Sequence, residues 1–198
     1  MKNQNIFFTF LAAVLFASVA FTSSIGVEVD TAESFVSWKG YKVTGSHNGK
    51  VMLKSGQLDM QEGKLVGGGF EIDMASITCE DLKGKSNQRL VGHLKSADFF
   101  GVETYPTAKF EITKVVSRGT PGSYKVIGNL TIKETTKEVR FNTQIEEKDG
   151  KSVATAELTI DRSEYDVRYG SGSFFDNLGD KTIYDEFELA VTLVMKNK

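Results

Sequence analysis

The sequence predicts an all-β domain of about eight antiparallel strands closed into a barrel, with one short helical insertion. Three observations predict it. Apolar and polar residues alternate in one segment after another, as they do along a strand with one dry and one wet face. Compact polar turns separate those segments at hairpin spacing. The 198 residues include 2 prolines and 19 glycines, a composition that suits long strands joined by tight turns.

Taken in order, residues 1–20 read as a signal peptide. Lys2 precedes an apolar run from Ile6 to Phe21 that falls short of the roughly 20 residues a membrane-spanning helix needs. Ser18-Val19-Ala20 is a small-x-small cleavage site, so the remainder, residues 27–198, is expected in the periplasm or outside the cell. Phe70, Ile72 and Met74 then alternate with Glu71 and Asp73. Phe110 and Ile112 alternate with Lys109, Glu111 and Thr113. Tyr124, Val126, Leu130 and Ile132 share a phase with Gly128, and Val139, Phe141 and Ile145 share one with Thr143. Ala154, Ala156, Leu158 and Ile160 repeat the pattern, and Phe187 to Met195 closes it. Gln61-Glu62-Gly63, Thr120-Pro121-Gly122, Glu134-Thr135-Thr136 and Lys148-Asp149-Gly150 supply the turns.

Eight strands with one dry face each bury it in two stacked sheets or in one sheet closed on itself. Strand length favours closure, and so does Gly67-Gly68-Gly69, where a strand can bend sharply. Two stretches interrupt the meander. Cys79 to Tyr105 holds Leu90 and Leu94 at helical spacing. Tyr169 to Lys181 is rich in Gly, Ser and Asp but carries the adjacent aromatics Phe174 and Phe175, which suit either a lid over the barrel mouth or packing on its rim.

The chemistry is mostly one of exclusions. A formal net charge of −2 argues against a nucleic-acid partner. Gly84-Lys85-Ser86 lacks the preceding glycine of a phosphate loop, since Cys79 stands there. Two histidines, His47 and His93, do not make a metal site by themselves. The lone Cys79 reads as a packed thiol with no base beside it. His93 is the polar residue with two open roles: a hydrogen bond pinning a helix end against the next loop, or a contact to a ligand head group, with Asp98 placed to orient that loop.

Several blocks carry a family likeness. The most specific runs from Gly92-His93-Leu94-Lys95-Ser96-Ala97-Asp98-Phe99-Phe100 through Tyr105-Pro106-Thr107-Ala108-Lys109-Phe110. Around it, in order, stand Val29-Asp30 with Ser34, Val36 and Trp38; Ile72-Asp73-Met74-Ala75-Ser76-Ile77; and Gly128 to Ile132 with Thr136 to Val139. Leu158 to Tyr165 and Leu178-Gly179-Asp180 with Glu188-Leu189 complete the set. Together they resemble the YceI-like, polyisoprenoid-binding family. That resemblance implies a lipocalin-like eight-stranded antiparallel barrel, an apolar tunnel for a long isoprenoid chain, and no enzyme activity or cofactor. The chain departs from the family's commoner pattern at Lys39-Gly40-Tyr41-Lys42, at Arg89-Leu90-Val91-Gly92, and at Lys133, where a histidine is often found. These departures bear on the head group rather than on the barrel.

Inward-facing positions then name the expected ligand contacts: Phe70, Ile72, Phe110, Ile112, Leu130, Ile132, Phe141, Ile145, Leu158, Ile160, Phe187 and Leu189; Trp38, from a family-like block, joins them, with Phe174, Phe175 and His93 at the mouth. Gly128, Ala108, Thr143, Ala154 and Ala156 are the small residues that leave room. The expected partner is a long-chain lipid, an isoprenoid or isoprenoid quinone, carried or stored, with transient membrane contact and a homodimer both compatible. The competing classes are an exported enzyme using His93 with a nearby carboxylate, and a stress or adhesion module acting through its outer surface.

Overall fold

The computed structural model describes residues 23–196, so the export segment read in residues 1–20 lies outside the described residues. The strands are β1 (Ile25–Glu28), β2 (Phe35–Lys42), β3 (Gly45–Gln61), β4 (Lys64–Asp73), β5 (Thr107–Ser117), β6 (Ser123–Ile132), β7 (Thr135–Lys148), β8 (Lys151–Asp161) and β9 (Ile183–Val194); a helix, α1 (Gly84–Lys95), lies between β4 and β5. All pairings are antiparallel, and the order β3-β2-β9-β8-β7-β6-β5-β4 returns to β3 through a β3–β4 pairing. The sheet is therefore a closed, eight-stranded barrel. The ninth strand adds no width. β1 lies along the second half of β3 (Val27 opposite Leu58), and β2 along the first half of the same edge (Val36 opposite Val51).

The interruption between β1 and β2 has a local cause. Asp30 turns the chain by accepting from the Ala32 and Ser34 amides. The fully buried Ser34 hydroxyl then accepts from the Val194 amide at 2.8 Å, so a polar side chain replaces a missing rung of the ladder. On the bend between β3 and β4, the register shifts between Asp59 and Met60 and Gly68 adopts φ 126°. A side chain at Gly68 would lie 2.4 Å from the Gln57 carbonyl oxygen, so the sharp turn of the barrel wall requires glycine there.

The turn expected at Glu134-Thr135-Thr136 is centred one residue earlier. Lys133 takes the left-handed conformation (φ 56°) and β7 begins at Thr135. Met74 leaves its strand for a short 3-10 turn, Met74–Ser76, yet stays buried. One end of the barrel carries only tight turns. The other carries α1 and the loop between β8 and β9, and this asymmetry positions the site.

Candidate ligand cavity at the helix-capped end

A cavity of about 280 Å³ opens at the helix-capped end. Its walls come from the inner faces of the strands: Val36 and Trp38 of β2, Val51 of β3, Ile72 of β4, Ala108 of β5, Leu130 and Ile132 of β6, Phe187 and Leu189 of β9. Leu90, His93 and Leu94 of α1, followed by Phe99 and Phe100, roof it. Gly40, Tyr41, Lys42, His47, Ile183 and Tyr184 surround the way out. The volume lies near the lower end of the range for small-molecule sites, which are mostly apolar with a few placed polar groups.

Below it the barrel is packed. Phe110 stacks against Phe70 and Phe141 with ring centroids 5.4 Å away in each case. Past these rings only about 30 Å³ remains, bordered by Ile112, Thr143, Ala154 and Ala156 among others. Gly128 leaves room, but the ring of Phe110 takes it: a Cβ on Gly128 would meet Phe110 Cζ at 2.4 Å.

Several polar groups line the cavity, and Arg162, His47 and Trp38 among them are committed to protein partners. Arg162, 2% exposed, donates to the backbone carbonyls of Val167 (2.6 Å), Ile183 (2.9 Å) and Tyr184 (3.1 Å). Its guanidinium lies 3.3 Å from Asp185 and over the Phe99 ring. Burial lowers its pKa, and the carboxylates of Asp185 and Asp161 oppose that fall. His47 Nδ1 sits 2.8 Å from Asp81. Burial pushes the Asp81 carboxyl up, but the Asn48 amide, His47 and Cys79 outweigh it and hold it at about 2. Trp38 Nε1 donates to the Thr78 carbonyl at 3.1 Å. That contact exists because Gly49 lets the chain at Thr78 cross β3 closely; a Cβ there would lie 1.9 Å from the Thr78 oxygen.

His93 differs. Its ring meets Tyr169 edge-on at 4.3 Å and Phe99 at 5.5 Å, and its Nε2 is buried with no hydrogen-bond partner among the described residues. The helix end is closed instead by Ser96, whose amide and hydroxyl both donate to the His93 carbonyl, at 3.1 and 2.8 Å. Asp98 is exposed. Cys79 is buried, which raises the pKa of its thiol.

Of the expected ligand contacts, Trp38, Ile72, Leu130, Ile132, Phe187, Leu189 and His93 come together around the cavity. Phe70, Phe110, Ile112 and Phe141 form or border its floor. Ile160 is buried in the core, and Ile145 and Leu158 pack against it. Phe174 and Phe175 stand outside, 41% and 50% exposed. Residues that alternation alone does not find are those of the roof and mouth. Phe99 and Phe100 lie in the block that carries the family likeness, and Arg162 in Leu158 to Tyr165, so the likeness was their available signal. Among the described residues no group of three or more His, Cys, Asp or Glu is placed to hold a metal ion.

The profile of the YceI-like domain matches residues 28–195. The chain belongs to the YceI-like family. Among solved structures this YceI-like protein is similar to BcnA of Burkholderia cenocepacia, at 25% identity and a TM-score of 0.68, over 85% of this chain and 99% of that one. A polyisoprenoid-binding domain from Saccharophagus degradans, implicated in plant cell wall breakdown, shares the fold at 12% identity and a TM-score of 0.62, over 90% and 100% of the two chains. The YceI protein of Campylobacter jejuni shares it at 17% identity and a TM-score of 0.54, over 100% of both chains. Among curated proteins, the UPF0312 protein of Photorhabdus laumondii is 44% identical over 53 residues, which is 27% of either chain; the chain thus spans about a quarter of that relative in the match. Where YceI-like proteins often place a histidine, Lys133 turns away from the cavity. Its ammonium donates to the Asp166 carbonyl at 2.8 Å and braces the loop after β8. The departure at Gly40-Tyr41-Lys42 does reach the cavity and forms part of its mouth.

Proposed function

We propose that this protein holds one long-chain isoprenoid lipid, of the polyprenyl or isoprenoid-quinone type, and acts as an exported carrier or reservoir. The observation that carries the reading is the cavity itself: an apolar chamber inside a closed barrel, roofed by α1, with one buried imidazole nitrogen left unpartnered. Burying hydrocarbon contributes roughly 0.8 kcal/mol per methylene, so such a chamber retains a prenyl chain without polar contacts. A buried polar atom without a partner carries a desolvation cost that a ligand's hydroxyl or carbonyl would relieve. His93 Nε2 is that atom, and it makes the natural seat for a neutral head group. Arg162 is spent on protein carbonyls, which makes a charged phosphate head a poorer fit.

The reading of His93 as a catalytic base needs a carboxylate beside it. Among the described residues no Asp or Glu lines the cavity, so binding is favoured over catalysis. The leader in residues 1–20 is the support for export to the periplasm or beyond. For a carrier, the mouth also has the right rim. Val43, Tyr169, Phe174, Phe175 and Tyr184 are all exposed, on segments tied together by Val43 N to Thr182 O (3.2 Å) and Ile183 N to Gly170 O (2.8 Å). Exposed aromatics grouped at the mouth suit brief contact with a bilayer interface.

Organic extraction and mass spectrometry of the mature protein, paired with a native mass, test the proposal. One prenyl lipid or quinone per chain supports it, and the native mass reports monomer or homodimer. A protein that is empty and also fails to take up added prenyl chains sinks it.

A further inference from the structure

We propose that Phe110 is the residue that sets how long a chain this cavity accepts. The inference rests on the lipid-binding reading above and adds its length specificity. Phe110 is 4% exposed and sits on β5 opposite Phe70 of β4 and Leu130 of β6. Gly128 of β6, opposite Ile112, lies diagonally beside it, and a Cβ there would meet the Phe110 ring at 2.4 Å. The missing side chain at Gly128 thus admits the phenyl ring across the interior. Phe70 and Phe141 hold that ring from either side, at 5.4 Å each.

The ring divides the barrel. Above it, Ala108, two residues along β5, already belongs to the 280 Å³ cavity. Beneath it, the 30 Å³ gap is bordered by the small side chains of Thr143, Ala154 and Ala156. Small residues facing a gap on the far side of a large one are what a blocked extension of the same tunnel looks like. Close-packed interiors leave no slack, so a ring in this position stops a chain as a wall does. Removing it merges the gap, the ring's own volume and the main cavity, and engineered apolar cavities of this kind stay open and take up apolar guests.

The test is a binding series with prenols of increasing length, farnesol, geranylgeraniol and longer homologues, on delipidated wild-type protein and Phe110→Ala. Wild type is expected to gain affinity with each isoprene unit up to a cut-off and none beyond it. In Phe110→Ala the cut-off moves to longer prenols by at least one unit, and the first prenol past the wild-type limit binds on the order of tenfold more tightly. The shortest prenol, which never reaches the floor, keeps its affinity. Phe110→Leu, a smaller loss of volume, moves the cut-off in the same direction and serves where the alanine variant does not fold. A folded Phe110→Leu or Phe110→Ala with the wild-type cut-off overturns the role of Phe110 alone. So does a wild type without any cut-off, since the chain then leaves through the mouth. Failure of the wild type to bind any prenol overturns the lipid-binding reading, and the length rule with it.

Discussion

The imidazole of His93 meets the ring of Tyr169 edge-on, with centroids 4.3 Å apart and planes inclined at 66°. This contact joins the last turn of α1 to the loop between β8 and β9, so the roof of the cavity and the strand connection beside its mouth share one aromatic joint. It also orients a buried nitrogen, Nε2, that has no hydrogen-bond partner among the described residues. A ring held in place by two aromatic neighbours presents that nitrogen at little entropic cost.

His93→Leu therefore separates head group from chain. Affinity for an isoprenoid quinone should fall about 5- to 30-fold, the worth of roughly 1–2 kcal/mol of buried hydrogen bonding. Affinity for a prenyl hydrocarbon without a head should be unchanged or improved. Parallel titrations of the two ligands decide the matter, and equal losses for both would reduce His93 to a packing residue.

The rim calls for a different measurement. Phe174 and Phe175 lie in a loop that carries Arg168 and Lys181 along with Asp166, Asp176 and Asp180, and Lys42 stands opposite Ile183 at its end, so the two signs balance. Apolar insertion, rather than charge attraction, should then govern any contact with a bilayer. Co-sedimentation with phosphatidylethanolamine–phosphatidylglycerol vesicles should persist in high salt and weaken on the order of tenfold in Phe174→Ser/Phe175→Ser. Lipid uptake from detergent should be unaffected by the same pair of changes. Binding that salt abolishes would place the contact on a basic face elsewhere.

Arg162 is the stability test. Arg162→Met removes the donors of three carbonyls, Val167, Ile183 and Tyr184, and leaves Asp185 without its guanidinium. Breaking a buried ion pair on one side costs about 3–5 kcal/mol. Denaturant unfolding should register that loss, and limited proteolysis should cut first between residues 166 and 182, since Arg162 ties both ends of that loop. A variant as stable as wild type would mean those carbonyls reach water.

How much of this was legible in the sequence follows from what each signal measures. Alternation reports which face of a strand is dry, so the barrel and the ligand-side choice of Ile72, Leu130, Ile132, Phe187 and Leu189 could be read directly, whereas Trp38 came with the family likeness. It does not report depth along the barrel axis. Phe70, Phe110 and Phe141 have the same phase as the wall residues, and only their meeting at one level makes them a floor. Gly128 illustrates the same limit: a missing side chain reads as space, whereas its neighbour's ring fills that space. The mouth depends on chain crossings. His47 reaches the cavity on a strand whose edge is covered by the Thr78–Asp81 stretch, and that stretch lies close only because residue 49 is glycine. The adjacent aromatics Phe174 and Phe175 were equally compatible with inside and outside, and three-dimensional placement alone puts them outside.

Tyr165 makes the pH dependence testable. It is 1% exposed, its hydroxyl has no hydrogen-bond partner among the described residues, and burial, helped by Glu164, pushes its pKa up to about 12. An unfolded tyrosine ionises near 10. Between those values the folded state keeps a proton that the unfolded state gives up, so this contribution is intact below pH 10 and is lost as pH rises towards 12. The loss should be on the order of 1–3 kcal/mol by the upper end of that window. Tyr165→Phe removes both the ionisation and an unsatisfied buried hydroxyl. It should unfold at the same denaturant concentration as wild type or a higher one at pH 7, and lose less stability than wild type between pH 10 and 12. A phenylalanine variant that is clearly weaker at pH 7 would show that the hydroxyl has a partner, most simply a buried water. An unchanged alkaline slope would assign that transition to other groups.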